Sequence, residues 1–208
     1  MDVVLFLLLS TLETLAIYAL TMSLLKLKAS RYAGQAVVVM LLSSLQSYLL
    51  RNSLELDYLA PMTTVVIFVF FYAAVVKIPV IWSLIGTVLS YFGYAIMQGL
   101  LIMAIFGSIE AAQLPENAYL TQILSAAAGF LLAWLLHRFK IGIALELERL
   151  RLKYEYVILM VLMAIVLLLL AILFYMAQLW LLILFFSLTF GIFLYYAYHS
   201  EEFEVDED

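Results

Sequence analysis

Glu13 is the residue of this chain best placed to do chemistry. It lies one position from the centre of the first apolar stretch, with Ser10 three residues earlier on the same helical face. A carboxylate at mid-bilayer depth costs several kcal/mol and must face protein or a cavity, or take up a proton. Two roles fit such a group. One is structural: a protonated carboxyl hydrogen-bonded to a neighbouring helix. The other is functional: a ligand contact or a switch that changes with protonation.

Three further polar side chains sit at compatible depths. Gln46 lies beside Ser43 and Ser47 in the second apolar stretch, and Tyr91, Tyr94 and Gln98 share one face of the fourth at i, i+3 and i+7. At about 1.5 Å per residue, Gln46 and Gln98 fall about 7–8 Å outward of mid-span, while Glu13 and Tyr94 fall close to the midplane. Glu13, Gln46, Tyr94 and Gln98 are therefore the candidate ligand- or partner-binding residues, in an outward-facing polar cluster. Plain interhelical hydrogen bonding, worth about 0.6 kcal/mol per bond, accounts for the same residues in the bland reading.

Other chemistries lack their residues. The chain has no cysteine, and its two histidines, His137 and His199, stand at the ends of apolar runs. No H-E-x-x-H, G-x-S-x-G or Walker sequence occurs. No aspartate and no second carboxylate lies at membrane depth to pair with Glu13, so neither a nucleophile–base pair nor an aspartate dyad can be built. Metal ligands are too few. The expectation is a protein that is not an enzyme and uses no cofactor or metal.

These residues need apolar rods to carry them. Of the 208 residues, 68% are hydrophobic and only 12% charged, where a soluble domain carries about a quarter charged. Such a chain cannot clothe a globule in polar groups. The reading is an all-α polytopic membrane helix bundle. Net charge is −5 and no basic stripe exists, which excludes a nucleic-acid partner. Six of the fifteen acids fall in the last eight residues, so the rest of the chain is nearly neutral.

With about 20 apolar residues per span, seven transmembrane helices are expected, at 3–25, 32–50, 58–76, 80–106, 119–136, 156–176 and 179–198. The last two form a hairpin broken at Ala177-Gln178, because 156–198 holds no charge and is too long for one span. Six spans is the alternative count. Placing the N-terminus outside puts nine of the ten basic residues in inner loops, leaving only Arg51 outside, as the positive-inside rule requires. The C-terminus is then cytoplasmic and the location a bacterial plasma membrane. The domain layout is a five-span membrane domain at 1–140, a cytoplasmic amphipathic helix at 141–155, a two-span hairpin at 156–198 and an acidic tail at 199–208.

Two packing features complete the reading. Ile143, Leu147, Leu150, Tyr154 and Val157 form one helical stripe. It suits a helix on or under the membrane, an extension of the sixth span, or a contact between two copies. Ser125, Gly129 and Ala133 at four-residue steps permit close helix approach, within the chain or in a homodimer.

Leu12-Glu13-Thr14-Leu15, the basic turn with Lys26, Lys28 and Arg31, Leu49-Leu50-Arg51, and Lys77-Ile78-Pro79 together resemble the membrane-embedded input domains of Firmicutes sensor histidine kinases. The type is that of the accessory-gene-regulator and sporulation kinases. Leu145-Glu146-Leu147-Glu148-Arg149-Leu150-Arg151-Leu152-Lys153 resembles the helix that leads to the dimerisation and catalytic parts of those kinases. The likeness covers about 3–155. It departs afterwards: two spans and an acidic tail follow, in place of a phosphoacceptor histidine and an ATP-binding domain. The resemblance implies a sensor-like or partner-binding module without its own kinase, with Glu13 as the acidic residue of the first span.

The function expected is thus a non-enzymatic sensor-like or regulatory membrane module that binds a ligand or protein partner, with the bilayer and a cytoplasmic protein as partners. The alternative is a small transporter or a transporter's membrane subunit, proton-coupled through Glu13.

Overall fold

The computed structural model describes residues 3–54 and 59–143. Every regular element among the described residues is helical. In order they are α1 (Val3–Leu24), a 3₁₀ turn (Ala29–Tyr32), α2 (Ala33–Leu54), α3 (Leu59–Phe70) running into a π turn (Phe71–Val75), α4 (Val80–Phe106), a short α5 (Ile109–Gln113) and α6 (Pro115–Phe139). The stretches Val3–Leu24, Ala29–Asn52, Val80–Phe106 and Asn117–Phe139 are long and apolar enough to cross a membrane, and Leu59–Val75 is a shorter apolar helix. The expected sixth and seventh spans, the acidic tail and all but the first three residues of the 141–155 segment lie outside the described residues.

The chain divides into two compact units. The first contains α1, α2 as far as Tyr48, α4 from Leu84 onward, α5 and α6. Its helices are amphipathic in the membrane sense, with polar groups inside. On α4, Thr87, Ser90 and Tyr94 are buried, while Phe92, Ile96, Leu100 and Met103 on the opposite face are 58–68% exposed. A helix that hides its hydroxyls and shows its hydrocarbon suits lipid, where an unsatisfied polar group has no solvent to turn to. On α6, Ser125, Ala126, Gly129 and Ala133 are buried, and α1 packs along this helix. The small-residue stripe thus serves a contact within the chain. The two backbones come so close that a Cβ added to Gly129 would lie 3.0 Å from the Ala16 Cβ.

The threonines of α1 are settled locally. The hydroxyls of Thr11, Thr14 and Thr21 donate to carbonyls three or four residues earlier in their own helix. Phe6 packs on the Tyr48 ring of α2 at 5.4 Å. At the other end of α1 the Tyr18 hydroxyl donates to Ala29 O at 2.6 Å and ties down the 3₁₀ turn.

Helix ends repeat one device. Lys26, Lys77 and Lys140 have φ near +60° and are the non-glycine residues of positive φ among those described. Each follows a helix end, and each precedes a large aliphatic residue: Leu27, Ile78 or Ile141. After α1, Lys26 N–H donates to Ser23 O and Leu27 N–H to Met22 O. After α6, Lys140 N–H donates to His137 O and Ile141 N–H to Leu136 O. These are two-bond Schellman closures. The closure after the π turn is one residue wider, with Ile78 N–H donating to Tyr72 O. A left-handed L-residue costs roughly 1–2 kcal/mol. The ammonium group offsets part of that at the negative end of the helix dipole.

That closure changes the reading of the segment after α6. A helix beginning at residue 141 was expected, yet residues 141–143 are not helical. The left-handed Lys140 turns the chain, and Ile143 N–H donates to Leu24 O at 2.8 Å, filling an orphan carbonyl at the end of α1. Gly142 is required here, because a Cβ would run into the Leu24 carbonyl. The loop expected between the fourth and fifth spans also contains structure. Ser108 caps α5 by accepting from Ala111 N–H, and Asn117 Nδ2 donates to Ala111 O.

The second unit comprises, among the described residues, 49–54 and 59–83. Its centre is aromatic: Phe68, Phe71 and Tyr72 are fully buried, and Tyr72 meets Phe68 and Phe71 edge-on. Ser83 at its edge donates to Ile78 O.

Candidate functional site

α1 and α4 bring Glu13, Tyr94 and Gln98 together. The Tyr94 hydroxyl donates to Glu13 Oε1 at 3.4 Å, and Gln98 Nε2 donates to the same oxygen at 3.2 Å. Helical side chains lean toward the N-terminus of their helix. Gln98 therefore reaches back to the level of Tyr94, and two residues one turn apart meet one acceptor. Both bonds are long for their type.

Glu13 is partly buried, Tyr94 is 5% exposed and Gln98 is partly buried. Gln46, the fourth expected member, is fully buried on α2 beside Ser43 and Ser47. Its side chain belongs to the interior of the same unit.

Tyr94 is positioned by a glycine. The ring lies so close to Gly129 of α6 that an added Cβ would fall 2.8 Å from Cε2. Ser125, one turn earlier on α6 and fully buried, is the next polar neighbour of Tyr94. Its Oγ closes no hydrogen bond of good geometry. Sequence reasoning read Ser125 and Gly129 as packing residues and did not connect them to Tyr94, since nothing in a linear spacing links α6 to α4. Ser90 and Thr87 were missed for a different reason. They continue the Tyr94–Gln98 face at helical spacing, a signal present in the sequence. The expected face ran instead through Tyr91, which is only partly buried.

Chemically, the arrangement can hold a carboxyl in either protonation state. Ionised, it accepts from a phenol and an amide. Protonated, it can still accept through its carbonyl oxygen. Comparison with protein-family models, with curated proteins and with solved structures returns no match for this chain.

Proposed function

We propose that this chain is a non-enzymatic sensor-like or regulatory module of a bacterial plasma membrane. In this reading it has seven spans, with its N-terminus outside and its C-terminus in the cytoplasm. The observation that carries it is the Glu13 carboxyl at mid-helix, held by Tyr94 and Gln98 across two helices. A titratable group in low dielectric responds to small changes in its surroundings. A ligand or partner entering between these helices would compete for the carboxyl, with Gln46 as a further amide contact. Ile143, bonded to the end of α1, would carry a displacement of α1 into the chain that follows it. The likeness to kinase input domains agrees with such a role.

A second reading is a small proton-coupled carrier. It is favoured by Glu13 standing alone as a mid-helix carboxyl among the described residues. One experiment separates the two. The chain has no cysteine, so a single cysteine at Lys153 can cross-link a cytoplasmic partner in cells. The sensor reading expects a defined cross-linked partner whose yield changes in Glu13→Gln, and no Glu13-dependent solute flux in reconstituted vesicles. Flux that disappears in Glu13→Gln would establish the carrier instead.

A further inference from the structure

We infer that the adjoining C-terminal ends of α1 and α6 form a site for the phosphate headgroup of an anionic phospholipid, with an acyl chain lying along the exposed face of α6.

Five cations gather there, all in the first unit. Lys26, Lys28 and Arg31 follow α1, Arg138 lies in the last turn of α6 and Lys140 caps it, and all five are exposed. The two helix ends stand side by side. Ile143 N–H donates to Leu24 O at 2.8 Å, and the same carbonyl leaves no room for a Cβ on Gly142. Both ends also lie at one level. From the close approach of Ala16 to Gly129, Leu24 is eight residues further on and Arg138 nine, or about 12 and 13.5 Å along the two axes. The Tyr18 hydroxyl, donating to Ala29 O, holds the loop with Lys28 and Arg31 back against α1.

No acid among the described residues balances this end. Residues 20–54 and 130–143 contain neither aspartate nor glutamate. Glu110 precedes α6 and Glu116 stands in its first turn, at the opposite end from Arg138. In the sequence that follows, Glu146, Glu148 and Glu155 are matched by Arg149, Arg151 and Lys153, so 144–155 brings no net countercharge. Like charges gathered in this way repel, and an anion placed among them turns that repulsion into attraction. Near a bilayer, each Lys or Arg raises affinity for an acidic headgroup about fivefold, the equivalent of about 1 kcal/mol.

The stripe that leads up to Arg138 selects a lipid over other anions. Ile123, Ala127, Leu131, Trp134 and Arg138 fall within about 80° of one another around α6 at 3.6 residues per turn, and all five are exposed. From Ile123 to Trp134 the stripe runs about 16 Å, roughly the hydrocarbon depth of one leaflet. Trp134 precedes the arginine by one turn, where an indole suits the boundary between acyl chains and headgroups. A phospholipid uses both parts: hydrocarbon against the stripe, phosphate against the cations. A soluble phosphate or an acidic peptide would use the cations alone. Such a site needs only a bilayer beside it, and works whether or not the chain is a sensor.

The test uses the full chain in lipid vesicles. Of its three tryptophans, Trp82 and Trp180 are replaced by phenylalanine, leaving Trp134 to report. Quenching by phosphatidylglycerol with brominated acyl chains is compared with quenching by phosphatidylcholine with the same chains. Phosphatidylglycerol is expected to be preferred about tenfold or more, and Lys28→Gln with Arg138→Gln to cut that preference about fivefold or more. Lys28→Arg with Arg138→Lys should keep it, as should Arg51→Gln in the last turn of α2. Lys26 and Lys140 stay in place because each also closes a helix at positive φ. Equal quenching by the two lipids overturns the inference, and so does a preference that survives in the double glutamine variant. Loss of the preference in millimolar inorganic phosphate at constant ionic strength would make this a site for a free anion and overturn it too. A preference that emerges only after deletion of 201–208 has the same force, because the acidic tail would then hold the cations in the intact protein.

Discussion

Gly129 of α6 and Tyr94 of α4 are in contact across the bundle, with room for no methyl group between them. The glycine sets where the phenol stands, and the phenol sets one of the bonds to Glu13. Gly129→Ala is expected to destabilise the protein by about 1–3 kcal/mol, the usual cost of overpacking. Adding Ala16→Gly removes one of the two obstructed neighbours and should recover part of the loss. Thermal unfolding in detergent measures both; full stability in the single variant would show that the ring is free to move aside.

Glu13 itself can be varied for shape and charge separately. Glu13→Gln keeps an acceptor for Tyr94 and Gln98, so stability should change by less than about 1 kcal/mol. Glu13→Leu leaves the two donors without that acceptor and should cost about 1–3 kcal/mol. The order of the two variants in a denaturation series is the check. A leucine variant as stable as the glutamine variant would mean that the bonds from α4 contribute nothing.

Gly142→Ala forces the chain away from the Leu24 carbonyl. The expected result is a freed Ile143 amide, with hydrogen exchange of the 141–143 segment accelerated about tenfold, the equivalent of 1.4 kcal/mol of lost hydrogen bonding. Exchange unchanged from wild type would show that the segment is held by something other than this bond.

The lysines at left-handed positions allow a third kind of substitution. Replacing Lys140 with glycine removes a backbone penalty of about 1–2 kcal/mol and a dipole interaction of about 0.3–1 kcal/mol. The net change should lie between neutral and slightly stabilising, whereas Lys140→Ala keeps the backbone penalty and should be the less stable of the two. Unfolding midpoints rank them. Orientation is read separately: single cysteines at Ser108 or Asn52 should react with an impermeant maleimide from outside, and those at Lys28 or Arg138 only after permeabilisation. Labelling on the opposite sides reverses the proposed topology.

The helices were legible because hydrocarbon content and span length leave few alternatives, and α1 and α4 lie where 3–25 and 80–106 were expected. The meeting of Glu13 with Tyr94 and Gln98 was legible only as matched depth, since rise per residue gives height in a membrane and says nothing about which faces meet. Gly129 and Ser125 could not be assigned to the site from spacing, because their role depends on α6 lying against both α1 and α4. The helix expected from 141 does not begin there, for a local reason. Ile143 opens an apolar stripe that reads as helical on paper, but the left-handed Lys140 turns the chain just before it, and lysine is a poor advertisement for a turn that glycine usually makes. The pairs Lys26-Leu27, Lys77-Ile78 and Lys140-Ile141 were visible in the sequence as a recurring dipeptide, with meaning only once the backbone angles were known.

The bond from Gln98 to Glu13 joins positions 85 residues apart. A ribosome adding about 5–20 residues per second needs roughly 4–17 s to make that stretch. During that interval the newborn first helix carries its acid with neither α4 donor yet synthesised. Biogenesis therefore passes through a stage in which α1 must linger, neutralised or sheltered by the insertion machinery, until its later-made companions arrive.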